Sequence, residues 1–248
     1  MSLPPGLHVV DRPGEEPGAA RVVIVHGAMD RATSFGRVDR KIRDLHVVRY
    51  DRRGYGRSQA TGAGGIERHV EDLLSVLDDQ QATIFGHSIG GVVALATAAA
   101  RPELVVSVLA FEPPMPWATW WTSRSPRIDD PAEAAEAFMR AAVGDRIWDR
   151  LPARTRSDRR AEGEALWTDT ASLVAGAPFD PRSVPQPVLV AVGSATSSRH
   201  LRAGEELVTS LPRGQLVVVE GAQHGAHLTH APAVAALVRQ AVGLGAGQ

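Results

Sequence analysis

A glycine-rich stretch at residues 86–91, Gly-His-Ser-Ile-Gly-Gly, constrains the fold of this chain more than any other segment. The apolar run before it, residues 82–85, predicts a buried strand, and the run after it, residues 92–100, predicts a buried helix. A strand that becomes a helix within about four residues bends sharply, and glycine avoids the Cβ clashes of such a bend. The pattern Gly-x-Ser-x-Gly between strand and helix is typical of a nucleophile elbow, which exposes the Ser88 hydroxyl at the carboxyl edge of a sheet.

Strands and helices alternate along most of the chain. Further buried strands are predicted from apolar runs at residues 21–25, 46–50, 104–111 and 187–193, and a helix from apolar spacing at 66–77. Weaker patterns predict a strand at 7–10, a short helix at 34–44, a helix at 200–211, a strand at 216–219, a helix at 231–242 and a frayed tail at 243–248. This alternation predicts an α/β fold with a mainly parallel central sheet and helices on both faces.

The alternation breaks after the strand that ends at Phe111. Residues 115–180 show helical patches and no convincing strand, and all five tryptophans lie there. We therefore expect one core domain, formed by residues 1–114 and 181–248, with residues 115–180 inserted as a helical lid.

Composition limits the partners and the chemistry. A net charge of −1 at pH 7 over 248 residues favours neither nucleic acid nor an anionic membrane as a partner. The absence of cysteine excludes disulfides, thiolate metal ligands and a cysteine nucleophile. No metal-ligand spacing, phosphate loop or dinucleotide fingerprint is visible, so we expect neither metal nor cofactor. No signal peptide is visible either, so we expect a cytoplasmic monomer or homodimer that acts on a small molecule.

A histidine after the last predicted strand is the candidate base for Ser88. His224 lies five residues after Val219, in a loop that can face the same sheet edge. Such a histidine takes the serine proton and later returns it to the leaving group. His227 and His230 are competing candidates, but they lie further towards the last helix.

The chain resembles the α/β-hydrolase superfamily at four places. These are His26-Gly27 after a strand, the segment 51–58 (Asp-Arg-Arg-Gly-Tyr-Gly-Arg-Ser), the elbow at 86–91 and the His224 loop. They span nearly the whole chain outside residues 115–180. Together these motifs are specific for the superfamily but not for any substrate. The resemblance implies a triad of serine, acid and histidine.

The acid departs from the pattern of the superfamily. Members usually carry it just after the strand that here ends at Gly193, commonly as Gly-x-x-Asp, but this chain continues Ser-Ala-Thr-Ser-Ser. Glu112, at the end of the strand that follows the elbow helix, is the candidate substitute, because some members place the acid there. The alternatives are an acid from the insertion, such as Asp169 or Asp180, or a Ser–His pair without an acid.

The resemblance also indicates the surroundings of Ser88. Backbone N–H groups of Ile89, directly after the nucleophile, and of Ala28, directly after Gly27, would form the oxyanion hole. Met29 would line the substrate pocket beside them. Three tryptophans follow soon after the candidate acid: Trp117, Trp120 and Trp121. They would either form an apolar wall of the pocket or only attach the insertion to the core.

These features predict a serine hydrolase that cleaves an ester, lactone or similar acyl bond of a small, partly apolar carbonyl compound. Two other classes stay open at this point. One is cofactor-free perhydrolase, oxygenase or lyase chemistry on the same serine and histidine. The other is a ligand-binding protein without turnover, which the missing usual acid favours.

Overall fold

A computed structural model describes residues 3–122 and 128–247. The strands are β1 (Val9–Arg12), β2 (Arg21–Val25), β3 (His46–Tyr50), β4 (Ala82–His87), β5 (Val105–Phe111), β6 (Val188–Gly193) and β7 (Gly214–Val219). In the described part of the chain they form one seven-stranded sheet with the spatial order β1-β3-β2-β4-β5-β6-β7. The pair β1–β3 is antiparallel and the other neighbouring pairs are parallel. The predicted mainly parallel sheet is therefore confirmed.

Helices connect the strands. They are α1 (Gly36–Asp39), α2 (Gly65–Leu77), α3 (Ile89–Ala100), α4 (Pro131–Val143), α5 (Asp145–Arg150), α6 (Ala153–Arg160), α7 (Gly163–Ala175), α8 (Ser198–Ser210), α9 (Ala226–Thr229) and α10 (Ala231–Ala246). No helix within residues 3–122 and 128–247 has the length and apolarity needed to cross a membrane.

Both faces of the sheet are covered. In β2, Val23 and Val25 belong to a core cluster that includes residues of α2, α3 and α8, while Val22 and Ile24 belong to a second cluster with residues of α1 and α10. Alternate residues of a strand point to opposite faces, so a continuous apolar run is what a strand buried on both faces requires. The predicted helices on both faces are thereby confirmed.

Two local predictions were wrong. The tail predicted at 243–248 is helical as far as Ala246, because α10 packs against the sheet: a Cβ at Gly245 would lie 2.2 Å from Cγ1 of Val106. The helix predicted at 34–44 is a 3₁₀ turn over Ala32–Phe35 followed by the single turn α1.

The insertion after β5 is helical where it is described, with α4 to α7 between β5 and β6. Its α7 carries the buried carboxylate Asp169, which accepts hydrogen bonds from Arg52 Nη1 at 3.0 Å and Tyr55 Oη at 2.9 Å. His69 Nε2 lies 2.7 Å from the same carboxylate. All four side chains are almost completely buried. The helices between β5 and β6 therefore contact the preceding part of the chain through charged and polar groups as well as apolar ones.

Candidate active site

Ser88 occupies the single position between β4 and α3. Its backbone has φ 54° and ψ −125°, a conformation that is costly for a residue with a Cβ atom. The packing around the turn imposes this strain: a Cβ at Gly86 would lie 2.3 Å from the carbonyl oxygen of Gly90, and one at Gly90 would lie 2.2 Å from that of Val25. This strained turn is the geometry of a nucleophile elbow.

Glu112 and His224 meet at the carboxyl edge of the sheet. Oε2 of Glu112 lies 2.6 Å from Nδ1 of His224. The carboxylate of Glu112 is fully buried. The N–H of Gly193 donates a hydrogen bond to its Oε1, and the hydroxyl of Thr196 donates one to its Oε2, both at 2.9 Å. The backbone of Glu112 has φ 47°, another left-handed conformation at a non-glycine residue. These three contacts hold the carboxylate against the histidine ring.

The hydrogen bonds determine the charge of this carboxylate. Burial by itself raises the pKa of Glu112, but the hydrogen bonds from His224 and from the N–H of Gly193 outweigh it and lower the pKa below its ordinary value. An ionised carboxylate only accepts hydrogen bonds, so Nδ1 of His224 is the nitrogen that carries the proton. In the neutral ring, Nε2 is then the nitrogen with a free lone pair.

Sequence reasoning missed two neighbours of this pair, Thr196 and His200. The ring of His200 stacks on that of His224, with centroids 4.8 Å apart and planes at 11°. Burial, followed by the proximity of His224, lowers the pKa of His200 to about 4, so this ring is neutral near pH 7. Both missed residues lie in or just after the loop in which the superfamily usually carries its acid, and that departure was the available signal.

The loop that contains Ala28 lies against the elbow. A Cβ at Gly27 would lie 3.1 Å from Cβ of Ser88, so glycine permits this approach. His26 braces the loop, because its Nδ1–H donates to the carbonyl of Gly27 at 2.7 Å and its Nε2 accepts from the N–H of Arg52 at 2.8 Å. Burial, and then the nearby Arg52, lower the pKa of His26 to about 3, so the brace stays neutral.

Ile89 is the first residue of α3. The N–H groups in the first turn of a helix have no intrahelical partner, and they lie at its positive end. The N–H of Ile89 is thus placed to donate to an anion beside Ser88. The two residues assigned to the oxyanion hole lie on the two segments that meet at the elbow.

The four residues assigned to the pocket lie in two places. Met29 is buried in an apolar cluster that also contains Tyr55 of the core and Trp148 of the insertion. The other three are partly buried against the main core cluster: Trp117, Trp120 and Trp121. The ring of Trp121 meets that of His200 edge-on, with the ring centroids 5.5 Å apart.

The alternative acids and bases lie next to other residues than Ser88 and Glu112. Asp169 is enclosed by Arg52, Tyr55 and His69, and Asp180 pairs with Arg182 at 2.8 Å. Nε2 of His227 lies 3.2 Å from Asp30, and Nδ1 of His230 lies 2.9 Å from Thr229 Oγ1. Of the carboxylates proposed from the sequence, Glu112 is the one found in contact with His224.

The chain matches the model of the Alpha/beta hydrolase family over residues 22–237. It is 32% identical over 99 residues to the lipase LipV of Mycobacterium tuberculosis, an alignment that covers 39% of this chain and 38% of LipV. The chain thus spans about two fifths of the length of that relative.

Two solved structures show the same fold. An enol-lactonase from Burkholderia xenovorans LB400 superposes with a TM-score of 0.70 and 20% identity over 95% of this chain and 96% of that one. A thermophilic esterase from Thermogutta terrifontis gives a TM-score of 0.69 and 19% identity over 94% and 92% of the two chains.

Proposed function

Since the chain belongs to the Alpha/beta hydrolase family, we propose that it is a serine hydrolase in which Ser88 is the nucleophile, His224 the base and Glu112 the acid. The observation that carries this proposal is the 2.6 Å contact between Glu112 Oε2 and His224 Nδ1 at the edge where the elbow presents Ser88. A carboxylate, a histidine and a strained serine gathered at one sheet edge match the roles that acyl transfer requires.

The reaction proceeds in two halves. Nε2 of His224 accepts the proton of Ser88 as Oγ attacks the acyl carbonyl, and Glu112 stabilises the imidazolium that forms. The N–H groups of Ile89 and Ala28 donate to the oxyanion. The tetrahedral intermediate then expels the leaving group, which takes the proton from the histidine. In the second half, the same histidine activates a water that hydrolyses the acyl-enzyme.

The substrate class is an ester, lactone or similar acyl bond of a small, partly apolar carbonyl compound. Apolar side chains beside the site support this class, since Trp121 packs against His200, which in turn stacks on His224. The proteins to which this chain is similar include a lipase, an esterase and an enol-lactonase. The helices of the insertion, α4 to α7, act as a lid over the carboxyl edge.

A binding protein without turnover is the weaker alternative. The sequence favoured it only because the loop after β6 lacks a carboxylate. Glu112 would supply that carboxylate from the position directly after β5, where it has three hydrogen-bonding partners.

Covalent labelling tests the proposal directly. A fluorophosphonate reacts with an activated serine, so we expect the wild-type protein to be labelled and to hydrolyse short acyl esters. Ser88→Ala removes the nucleophile without opening a large cavity, so it should abolish labelling and turnover. The control is Ser210→Ala, at the exposed end of α8, which should keep both labelling and turnover. Unchanged labelling of Ser88→Ala would show that another serine is the nucleophile.

A panel of acyl esters and lactones of increasing chain length then identifies the substrate class. If the labelled protein cleaves none of them, the proposed substrate class is wrong even though the serine is activated.

A further inference from the structure

Three residues that the proposed reaction does not use come together behind the elbow. Asp30 follows Ala28 by two residues, His87 is the last residue of β4, and His227 lies in α9. Each offers one ligand atom, and these atoms all lie within 4.8 Å of one another. His87 is 5% exposed and His227 4%, whereas the side chain of Asp30 keeps 17% of its surface accessible.

Three of the four imidazole nitrogens in this cluster lack a hydrogen-bond partner. Nδ1 of His87 and both ring nitrogens of His227 are buried without one. Nε2 of His227 does lie 3.2 Å from Oδ2 of Asp30, and against the effect of burial this contact lowers the pKa of the Asp30 carboxyl, but its alignment is poor for a hydrogen bond. Buried polar atoms are nearly always satisfied, so two Nδ1 atoms without a partner and one poorly aligned Nε2, all beside a carboxylate, point to a further partner.

One of the histidines is oriented as a metal ligand is. Nε2 of His87 lies 2.8 Å from the carbonyl oxygen of His224, and since a carbonyl only accepts, Nε2 carries the proton. Nδ1 of His87 therefore keeps its lone pair. Metal-bound histidines almost always donate their other ring N–H to a carbonyl, carboxylate or water in this way.

We propose that Asp30, His87 and His227 form a binding site for a divalent transition-metal ion of the Zn²⁺ type. Two imidazole nitrogens and one carboxylate oxygen are a common zinc ligand set, with the fourth position left to water or another ligand. Tetrahedral ligands at about 2.0–2.1 Å from zinc lie about 3.3 Å apart, close to the 3.2 Å between Asp30 and His227. Mg²⁺ and Ca²⁺ are disfavoured because they prefer oxygen ligands.

The position of the site gives the ion a role as a clamp. Asp30 is two residues from Ala28, His87 precedes Ser88, and His227 is three residues from His224. One ion would join the three loops that carry the oxyanion donor, the nucleophile and the base. Since the ion binds the folded chain, it should also raise the free energy of unfolding.

A second cluster, formed by Glu112, His200 and His224, also gathers potential ligand atoms within 4.8 Å. It belongs to the triad, and Glu112 and His224 already satisfy each other there. Any test must therefore separate the two clusters.

The test uses the full chain stripped of metal with a chelator and then titrated with Zn²⁺ in a calorimeter. Co²⁺ serves as a second probe, because its visible absorption reports the coordination geometry. His227→Phe removes both ring nitrogens but keeps an aromatic ring to stack on Phe35, which lies 4.5 Å away. Asp30→Asn keeps the size of the side chain, and His200→Phe is the matched control in the other cluster. Circular dichroism verifies that each variant is folded.

We expect one Zn²⁺ per chain in the wild type and in His200→Phe, with a Tm that rises when Zn²⁺ is added. Affinity should fall by roughly 10- to 100-fold or more in Asp30→Asn and His227→Phe, a loss at least as large as that for removing a supporting residue of a metal site. If His227→Phe does not fold, Asp30→Asn decides.

Three results would overturn the site. They are no binding at millimolar Zn²⁺, unchanged binding in both cluster variants, and binding that is lost in His200→Phe, which would place the ion at the triad instead. The first of these would leave the direct contact between Asp30 and His227 as the role of the cluster.

Discussion

Glu112, directly after β5, accepts a hydrogen bond of 2.6 Å from Nδ1 of His224, in the loop after β7. The two residues are 112 positions apart in the chain. They meet because β5, β6 and β7 are parallel neighbours, so the loops at their carboxyl ends share one edge of the sheet. Glu112 thus lies next to β4, whose end carries the elbow.

Loss of the charge on Glu112 should slow turnover strongly. Glu112→Gln keeps the size of the side chain but no longer stabilises the imidazolium, so kcat should fall by roughly 10²–10⁴, guided by the ~10⁴ loss for the analogous change of acid to amide in a serine protease. Initial rates on one activated ester measure the effect. Asp180→Asn, at an exposed carboxylate paired with Arg182, is the matched control and should keep its rate. A Glu112→Gln variant with near wild-type rate would refute the triad.

The base is tested by a pair of histidine variants. His224→Ala should lower kcat by roughly 10⁴–10⁶, because removal of a triad histidine costs about as much as removal of the whole triad. His230→Ala should retain turnover, since His230 contacts Thr229 rather than Glu112. The same ester assay compares them, and an inactive His230→Ala beside an active His224→Ala would move the base to position 230.

Thr196 should matter for the rate although it lies outside the triad. Thr196→Val keeps the shape but removes the 2.9 Å hydrogen bond to Glu112 Oε2, which loosens the carboxylate behind His224. A hydrogen bond to a charged group contributes about 1.5 kcal/mol, so kcat should fall roughly tenfold with KM nearly unchanged. Steady-state kinetics of Ser198→Ala, an exposed neighbour in the chain, provide the reference. Equal rates in the two variants would show that Thr196 does not position the acid.

Asp169 should stabilise the fold and leave the chemistry intact. Asp169→Asn leaves the buried guanidinium of Arg52 without its counter-charge, so the free energy of unfolding should fall by about 3–5 kcal/mol. Denaturant titration measures the free energy of unfolding. At a low temperature where Asp169→Asn is still folded, it should keep its turnover. Asp180→Asn, an exposed pair, should change stability by less than about 1 kcal/mol.

Asp169 should also make the stability of the folded protein fall at acidic pH. Burial raises the pKa of Asp169, but the charges of Arg52 and His69 and the hydrogen bonds from His69 and Tyr55 outweigh it and hold the pKa well below its ordinary value. A lowered folded-state pKa stabilises the protein above the unfolded pKa of about 4 and loses that contribution as pH falls below it. Wild-type Tm should therefore drop more steeply below about pH 4 than that of Asp169→Asn. Parallel curves for the two proteins would contradict the assignment.

The sequence by itself determined the features that depend on local pattern. Alternating apolar runs predicted the parallel sheet, and the spacing of Gly86, Ser88 and Gly90 predicted the elbow, because backbone sterics within a few residues leave little other choice. The end of the last strand also indicated His224, since parallel strands place their carboxyl ends at one edge, and the resemblance to the α/β-hydrolase superfamily indicated Glu112.

Only the tertiary structure decided which distant side chains touch. The support of Glu112 by Thr196, the enclosure of Asp169 by Arg52, and the gathering of Asp30 with His87 depend on loop paths and side-chain directions. These are set by packing between segments that are tens to hundreds of residues apart. No local periodicity encodes such contacts, because each one exists only after the sheet order, the strand register and the position of the insertion have been established.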